Sequence, residues 1–230
     1  MNPLSLSETD RENNNTVNNG SGLQINRVFT REGINPLDEV EYEMRDSVIK
    51  EPDGTIVFKM ENCAIPKKWS QVASDIMISK YFRKAGVPQT DKDGNPILDQ
   101  NGNPVLGAES SAAQVVNRLT KCWRDWGEKY GYFKTSKDAD AFQDELNFML
   151  IHQYAAPNSP QWFNTGLYNS YGINGKSQGH YYVNPDTGVL QESEDSYSHP
   201  QPHACFIQSV DDDLVNEGGI MDLWVREARL

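Results

Sequence analysis

Cationic side chains are scarce in this 230-residue chain, and their scarcity excludes one class of function. The chain has 21 Lys and Arg against 33 Asp and Glu, a formal net charge of −12 at pH 7. A protein that binds nucleic acid by neutralising phosphates needs the opposite balance. The sequence therefore predicts no nucleic-acid partner. A nucleotide held by hydroxyl and amide donors remains compatible with this charge.

Long apolar runs are also missing. No stretch approaches the ~18 to 20 continuous apolar residues of a membrane-spanning helix. The first twenty residues hold no apolar run that could serve as a secretory signal. Hydrophobic residues still make up 37% of the chain, enough for a core. These features predict a cytoplasmic protein without a membrane partner.

Cysteines are few, and their spacing excludes the common cysteine-built sites. Cys63, Cys122 and Cys205 lie far apart without a CxxC pair, which fits neither a disulfide framework nor a four-cysteine zinc site. At least one thiol stays unpaired within the chain, either as a packed small hydrophobe or as a redox-active group. Cys122 lies beside an aromatic stripe of a predicted helix, which favours a core thiol.

Histidines are scarcer than acids or bases, but two of the four lie close to Cys205. His199, His203 and Cys205 could offer metal ligands, or a Cys–His nucleophilic pair. The sequence offers neither a fourth metal ligand nor an acid to orient the histidine. We therefore predict no metal site.

The chain divides into three parts by composition. Residues 1–22 are rich in Asn, Ser, Thr and Gly, which predicts a disordered tail. Residues 23–154 have helical periodicity and predict a helical N-terminal domain. Within it, a duplicated hexapeptide predicts an exposed, hairpin-like insertion near 91–107. Residues 155–230 are rich in Pro, Asn, Gly and Tyr and predict a different architecture.

Periodicity, caps and turn residues predict the individual elements. Three helices are expected in the first part: one after Pro66 that runs to Arg83 or Lys84, one over Ser110 to Tyr130, and one capped by Ser136. The expected strands are Thr55 to Phe58, a hairpin of Tyr181 to Val183 with Val189 to Gln191, and Ala204 to Val210. A last helix should start near Glu217 and run to the end. It has neither a glycine cap nor a proline stop, so either Leu230 is a frayed natural terminus or the chain is the front part of something longer.

The segment from Asn158 to Gly166 has two interpretations. Its short hydroxyl and amide side chains, with a permissive glycine, could hold a phosphate through neutral donors. The same residues equally suit an ordinary turn capped by Ser and Asn.

Three motifs in the second half carry a resemblance to a known family. They are PNSPQWFNTG (157–166), PQPHACFI (200–207) and GGIMDLW (218–224), the last followed by REAR (226–229). In this order and at this spacing they resemble the N-terminal part of an adenosylcobalamin-dependent (class II) ribonucleotide reductase. The likeness covers roughly residues 23–230. It implies a mixed α/β fold, in which a mostly helical N-terminal domain leads into the first strands of the family's ten-stranded α/β barrel.

The resemblance also implies roles for individual residues. Ser159 matches a position that holds the substrate phosphates, and Ala204 and Cys205 match a pair at the substrate site. Cys205 is similar to the first member of the redox cysteine pair, which becomes a disulfide at each turnover. Asp212 resembles the acid that hydrogen-bonds the ribose of the specificity effector.

The implied activity is reduction of ribonucleoside diphosphates or triphosphates to deoxyribonucleotides for DNA synthesis, with adenosylcobalamin as cofactor. The implied partners are the ribonucleotide substrate, a nucleotide effector, a C-terminal reductase portion with the second redox cysteine, and a thioredoxin-type dithiol donor. A homo-oligomer is compatible with this assembly. We expect the chain alone to be inactive. The alternative function is a non-catalytic acidic interaction module or a nucleotide-binding regulatory module.

Overall fold

The computed structural model describes residues 21–91 and 94–228. The expected tail therefore lies outside the described residues, except for Ser21 and Gly22, and so does part of the first hexapeptide. Leu23 is anchored: its amide donates to the Tyr132 carbonyl at 2.8 Å, and its own carbonyl accepts from Lys134 N at 3.0 Å.

A long antiparallel hairpin opens the fold. Strand β1 spans Tyr42–Lys50 and β2 spans Ile56–Pro66, and they pair from Tyr42 with Pro66 to Lys50 with Ile56. The sequence predicts only the short strand after the Pro-Asp-Gly turn. Charged residues interrupt the apolar alternation of both strands, and most of their side chains are exposed or half-buried, so periodicity alone does not identify their full length.

The first predicted helix is real but shorter than expected at both ends. Helix α1 spans Gln71–Ile76 and continues as a π-helix over Met77–Tyr81. Ser70 stops the helix from beginning earlier, because its side chain accepts a hydrogen bond from Ala73 N and caps the first turn. At the other end Phe82 is extended, with φ −62° and ψ 131°.

The two long helices follow the prediction closely. Helix α2 spans Ala112–Lys129 and α3 spans Ser136–Ile151. The cap of α3 is Thr135 rather than Ser136, because the Thr135 hydroxyl accepts from Asp138 N. Ser136 itself is the first helical residue.

One core joins the hairpin to these helices. Its buried apolar side chains come from β2, the π-helix, α2, α3, the first short helix beyond them, and the residues just before α1 and just after the π-helix: Cys63, Ile65, Trp69, Met77, Ile78, Phe82, Val115, Val116, Leu119, Leu150, Ile151 and Trp162. The indole of Trp69 also donates to the Ile151 carbonyl at 2.8 Å. None of the described helices is long and apolar enough to cross a membrane.

The remaining elements are short. Strands β3 and β4 bracket the insertion, whose described residues are mostly exposed and pair in a hairpin-like way. Two short helices, a small hairpin close to the predicted one and a last helix follow. The bounds of these short elements, with β3 and β4, are β3 Val87–Pro88, β4 Leu106–Gly107, α4 Ser159–Asn164, α5 Leu167–Tyr171, β5 Tyr181–Val183, β6 Leu190–Glu192 and α6 Ile220–Glu227.

The mixed helix-and-strand class is confirmed, whereas the barrel is not. Across residues 21–91 and 94–228 the strands form three separate two-stranded antiparallel sheets and no closed barrel. The predicted strand Ala204 to Val210 is wrong, because this segment has no regular secondary structure. A strand needs a neighbour for its backbone N–H and C=O groups, and none of the described residues pairs with this segment in a sheet.

Candidate functional site

Ser159 is the first residue of a short helix, not part of a loop. Asn158 caps α4 by accepting from Gln161 N at 3.3 Å, and Pro160 suits the first turn. The structure thus favours the capped-turn interpretation over the open phosphate loop. The exposed Ser159 hydroxyl lies 3.1 Å from the hydroxyl of Tyr81.

Tyr81 connects the π-helix to α4. Its ring stacks on Trp162 with centroids 5.7 Å apart, and it packs against Phe163 at 5.3 Å. Short π-helical segments occur frequently at functional sites. Here the segment ends on the side chain that contacts Ser159.

A buried ion pair holds the other end of α4. The Arg118 Nε donates to Glu109 Oε1 at 2.7 Å, and the two side chains are 1% and 0% exposed. The same guanidinium donates to the carbonyls of Thr165 at 2.5 Å and Trp162 at 3.1 Å. These carbonyls lie at the C-terminal end of α4, where a helix leaves acceptors unpaired. Arg118 therefore fixes the helix that carries Ser159.

Glu109 extends this network to two more segments. It accepts from the Arg83 amide at 2.7 Å and from the Tyr171 hydroxyl, on α5, at 2.8 Å. Burial, together with the Glu109 charge, raises the pKa of Tyr171 far above its ordinary value, so the phenol stays a donor. Every polar group in the centre of this network is bonded, as buried charges require.

Gly166 allows α4 and α5 to approach α2. Its φ is +82°, and a Cβ at this position would lie 2.3 Å from the Arg118 carbonyl oxygen. A side chain would therefore separate the short helices from α2.

Ala204 and Cys205 are exposed and lie in the segment that follows Pro202. A hydrogen bond just before this segment joins it to α4: the side-chain amide Nδ2 of Asn164 donates to the Gln201 carbonyl at 3.3 Å. Just upstream, the ring of His199 stacks on Tyr182 with centroids 3.7 Å apart. The structure thus tethers the stretch before Cys205 to the helix of Ser159, without bringing the two side chains into contact.

The three thiols have different environments. Cys63 and Cys122 are buried and Cys205 is exposed. Burial raises the pKa of Cys63, and it raises that of Cys122 to about 12. At neutral pH both buried groups are thiols, so Cys205 alone among the three is open to an external dithiol.

His203 and Cys205 are not placed together by a strand, since the strand is absent. Among the described residues no group of three His, Cys, Asp or Glu side chains is arranged to hold a metal ion.

Asp212 is exposed. Its neighbour Asp213 is occupied in a turn, where it accepts from Val215 N and Asn216 N at 2.9 and 2.8 Å. The Asp213 carboxylate is thus committed within the chain, and that of Asp212 faces solvent.

Comparison with known proteins identifies the family. The family model described as class II vitamin B12-dependent ribonucleotide reductase matches residues 43–153. A vitamin B12-dependent ribonucleotide reductase of Bradyrhizobium diazoefficiens is 52% identical over 224 residues, and that of Agrobacterium fabrum is 51% identical; each match covers 90% of this chain. The chain belongs to the class II ribonucleotide reductases. The expected family is thereby confirmed.

The class II reductases that this chain matches are much longer than the chain itself. It spans 18% of the length of both relatives, and it corresponds to their N-terminal portion. A more distant reductase, from Rhodopirellula baltica, is 33% identical over 211 residues, again across 18% of its length.

Three residues that position the candidate site were not predicted from the sequence. Arg118 lies four residues before Cys122 and three after Val115, so helical spacing could have placed it on the buried face of α2. Glu109 precedes the helix and has no periodic signal. Tyr81 is recognisable as part of the apolar stripe of its helix, but the π-helical turn that aims it at Ser159 leaves no sequence signature.

Proposed function

We propose that this chain is the N-terminal portion of a vitamin B12-dependent reductase that converts ribonucleotides to deoxyribonucleotides, and that Cys205 is one thiol of its redox pair. The observation that carries the proposal is the exposure of Cys205, in a segment tethered to α4, while the other two thiols are buried. Family membership supplies the reaction class, and the placement of the thiols selects the residue.

The proposed step balances with two thiols. Replacing the 2′ hydroxyl of the ribose by hydrogen breaks one C–O bond, consumes two electrons and two protons, and releases water. Two cysteines supply both as they form a disulfide. Cys205 is one of them, and the second comes from a C-terminal reductase portion, because Cys63 and Cys122 are buried in the core. The chain alone therefore does not turn over substrate.

Adenosylcobalamin supplies the radical that starts the reaction when it is bound. A groove of about 1850 Å³ is open to solvent between the end of α2 and the β5–β6 hairpin, and among the described residues no cluster of His, Cys, Asp and Glu side chains is arranged to hold a metal ion. The steps assigned to this chain are therefore those of its own side chains.

Ser159 and the backbone at Ala204 and Cys205 are proposed to hold the substrate. The Ser159 hydroxyl is exposed, and its contact with Tyr81 orients it. An oriented hydroxyl beside exposed backbone can donate to phosphate oxygens without adding positive charge. Asp212 is proposed to accept from the ribose of an effector nucleotide, for which its exposed carboxylate is suited.

This chain exposes an apolar surface that the proposed C-terminal portion would cover. Large apolar side chains are exposed along the segment after Cys205 and on α6: Phe206, Ile207, Leu214, Val215, Met221, Trp224 and Val225. Apolar patches of this kind mark interfaces. We place the start of the catalytic barrel at 155–230, packed there against the rest of the reductase, after a helical domain at 23–154.

The reductase is proposed to act in the cytoplasm, where a thioredoxin-type donor re-reduces the disulfide after each turnover. A homo-oligomeric assembly is compatible with the exposed surfaces.

The test is turnover by the full-length reductase that contains this chain, with adenosylcobalamin and a thioredoxin-type donor. Cys205→Ser should abolish deoxyribonucleotide formation, and Cys122→Ser, a matched loss of a thiol, should keep it. Full turnover by Cys205→Ser would show that the redox role is wrong. Measurable turnover by the 230-residue chain alone would refute its dependence on a C-terminal portion.

A further inference from the structure

A small pocket beside Tyr81 differs in charge from the rest of this acidic chain. It has a volume of about 280 Å³ and lies between the end of the π-helix, the end of α4 and Tyr197. Lys80, Arg83 and Lys84 line it, and no Asp or Glu does. With 33 acids to 21 bases in the chain, a pocket wall with three cations and no acid is unusual and needs a physical account.

Two of these cations are free to bind an anion. Within the described part of the chain, neither Lys80 nor Arg83 has a carboxylate partner. Arg83 uses Nε to donate to the Ala85 carbonyl at 3.0 Å, and its guanidinium lies 5.7 Å from the centroid of the Tyr197 ring. These contacts fix the guanidinium while both terminal nitrogens remain available as donors.

The third cation has a structural role. The Lys84 ammonium donates to the Ile78 carbonyl and lies over the rings of Phe58 and Phe82, at 5.0 and 5.7 Å. Partial burial of this ammonium lowers its pKa. Lys84 is therefore engaged with the π-helix rather than with the pocket.

A buried carboxylate nearby does not neutralise the pocket. Glu109 accepts from the Arg83 backbone amide, but its charge is already paired with Arg118 and hydrogen-bonded by Tyr171. The positive charges of Lys80 and Arg83 therefore remain available to the pocket.

We propose that Lys80 and Arg83 form a binding site for a phosphate-class oxyanion, with the Asn164 side chain on the opposite wall. The volume suits a phosphate or a diphosphate, and a base with its ribose would have to remain outside. Tyr81 lines the pocket and contacts Ser159, so the anion would lie next to the proposed substrate residues. The inference that this anion belongs to the ribonucleotide rests on the proposed function. The inference that the pocket binds an oxyanion does not depend on that function.

The first experiment measures binding of inorganic pyrophosphate to the 230-residue chain by isothermal titration calorimetry at low salt. Saturable binding should weaken about tenfold in Lys80→Gln and in Arg83→Gln, which each remove one charge-assisted contact. Lys50→Gln is the matched control, because Lys50 is exposed at the end of β1, does not line the pocket, and has no ion pair with any of the described residues.

Lys80→Gln is the deciding variant, because Lys80 is exposed and substitutions at exposed positions usually leave the fold intact. Absence of saturable binding, or equal weakening by Lys50→Gln and Lys80→Gln, would overturn the pocket. Either result would leave the proposed reductase function standing, since that function is tested at Cys205.

The second experiment identifies the source of the anion by competition. A ribonucleoside diphosphate should displace pyrophosphate, and the corresponding nucleoside without phosphate should not. If pyrophosphate binds through Lys80 and Arg83 but the nucleotide fails to compete, the site takes free phosphate or pyrophosphate, and its assignment to the substrate is overturned.

Discussion

Burial separates Cys205 from the other two thiols, and this difference can be measured on the chain itself. In the folded protein one thiol should react rapidly with a maleimide at pH 7.5, and three should react in denaturant. The buried pair should stay unreactive, because core packing excludes the reagent and burial raises the pKa of Cys122 to about 12. Mass spectrometry of the labelled chain checks the site. Rapid labelling of folded Cys205→Ser would contradict this account.

The buried pair of Glu109 and Arg118 should dominate the local stability. Arg118→Met leaves the Glu109 carboxylate buried without its partner, which should cost about 3 to 5 kcal/mol of unfolding free energy. The control is Lys121→Gln, which removes an exposed ion pair with Asp125 and should cost less than about 1 kcal/mol. Urea unfolding followed by circular dichroism gives both values; equal losses would show that the pair does not anchor α4.

At the residue scale, the sequence indicated which residues are candidates for the site, but not which contacts they make. The resemblance selected Ser159, Ala204 and Cys205, and the exposure of all three is compatible with roles in binding and redox chemistry. It could not indicate the contact of Ser159 with Tyr81, since that contact joins residues 78 positions apart and depends on the π-helical turn.

Among the elements, the junction between α4 and α5 is the least tolerant of substitution. Gly166→Ala places a Cβ against the Arg118 carbonyl at positive φ, whereas Gly172→Ala meets open space at a φ of +65°. We expect a loss of about 1 kcal/mol for Gly172→Ala and roughly 2 to 4 kcal/mol for Gly166→Ala. Thermal or urea unfolding compares the two. Equal losses would show that the close approach to α2 is unimportant.

Glu145 is one of three carboxylates on α3 that hold the segment before β1, beside Asp138 and Asp144, and its part of this attachment should depend on pH. Glu145 accepts hydrogen bonds from the amides of Val28, Phe29 and Thr30, and from the Thr30 hydroxyl. Burial raises the pKa of Glu145, but these hydrogen bonds lower it by more, so it lies below the ordinary 4.5.

The sign of the effect follows from this depressed pKa. The stabilisation is complete above pH 4.5 and is lost as pH falls through the lower folded value. The amides of Val28, Phe29 and Thr30 should therefore be protected from hydrogen exchange at pH 6 and should lose this protection near pH 3. In Glu145→Gln the same amides should be unprotected at both pH values. Protection retained in Glu145→Gln would refute the attachment.

At the element scale, helical periodicity predicted both ends of α2 to within two residues and the start of α3, because both helices place apolar residues at three- and four-residue steps. Caps were less certain, since Thr135 and Ser136 are both good capping residues and only the geometry selects the first. The strand at Ala204 to Val210 was wrong for a different reason. Its composition suits a strand, but a strand forms only where a partner strand is present.

For the whole molecule, the exposed apolar surface on α6 and before it should become covered in the full-length reductase. Trp224 is 63% exposed in this chain. The contribution of Trp224 to acrylamide quenching of tryptophan fluorescence is the quenching that disappears in Trp224→Phe. This contribution should be strong in the 230-residue chain and weak in the full-length reductase. Equal quenching in both would contradict the proposed contact.

The central claim is that Cys205 is oxidised as substrate is reduced, and trapping it after one turnover tests this most directly. The full-length reductase, pre-reduced and freed of dithiol, is mixed with adenosylcobalamin and ribonucleotide, then alkylated and analysed by mass spectrometry. The account predicts that Cys205 loses its reactivity in proportion to the deoxyribonucleotide formed, while Cys63 and Cys122 are unchanged. Deoxyribonucleotide formation with Cys205 still fully alkylated would contradict it.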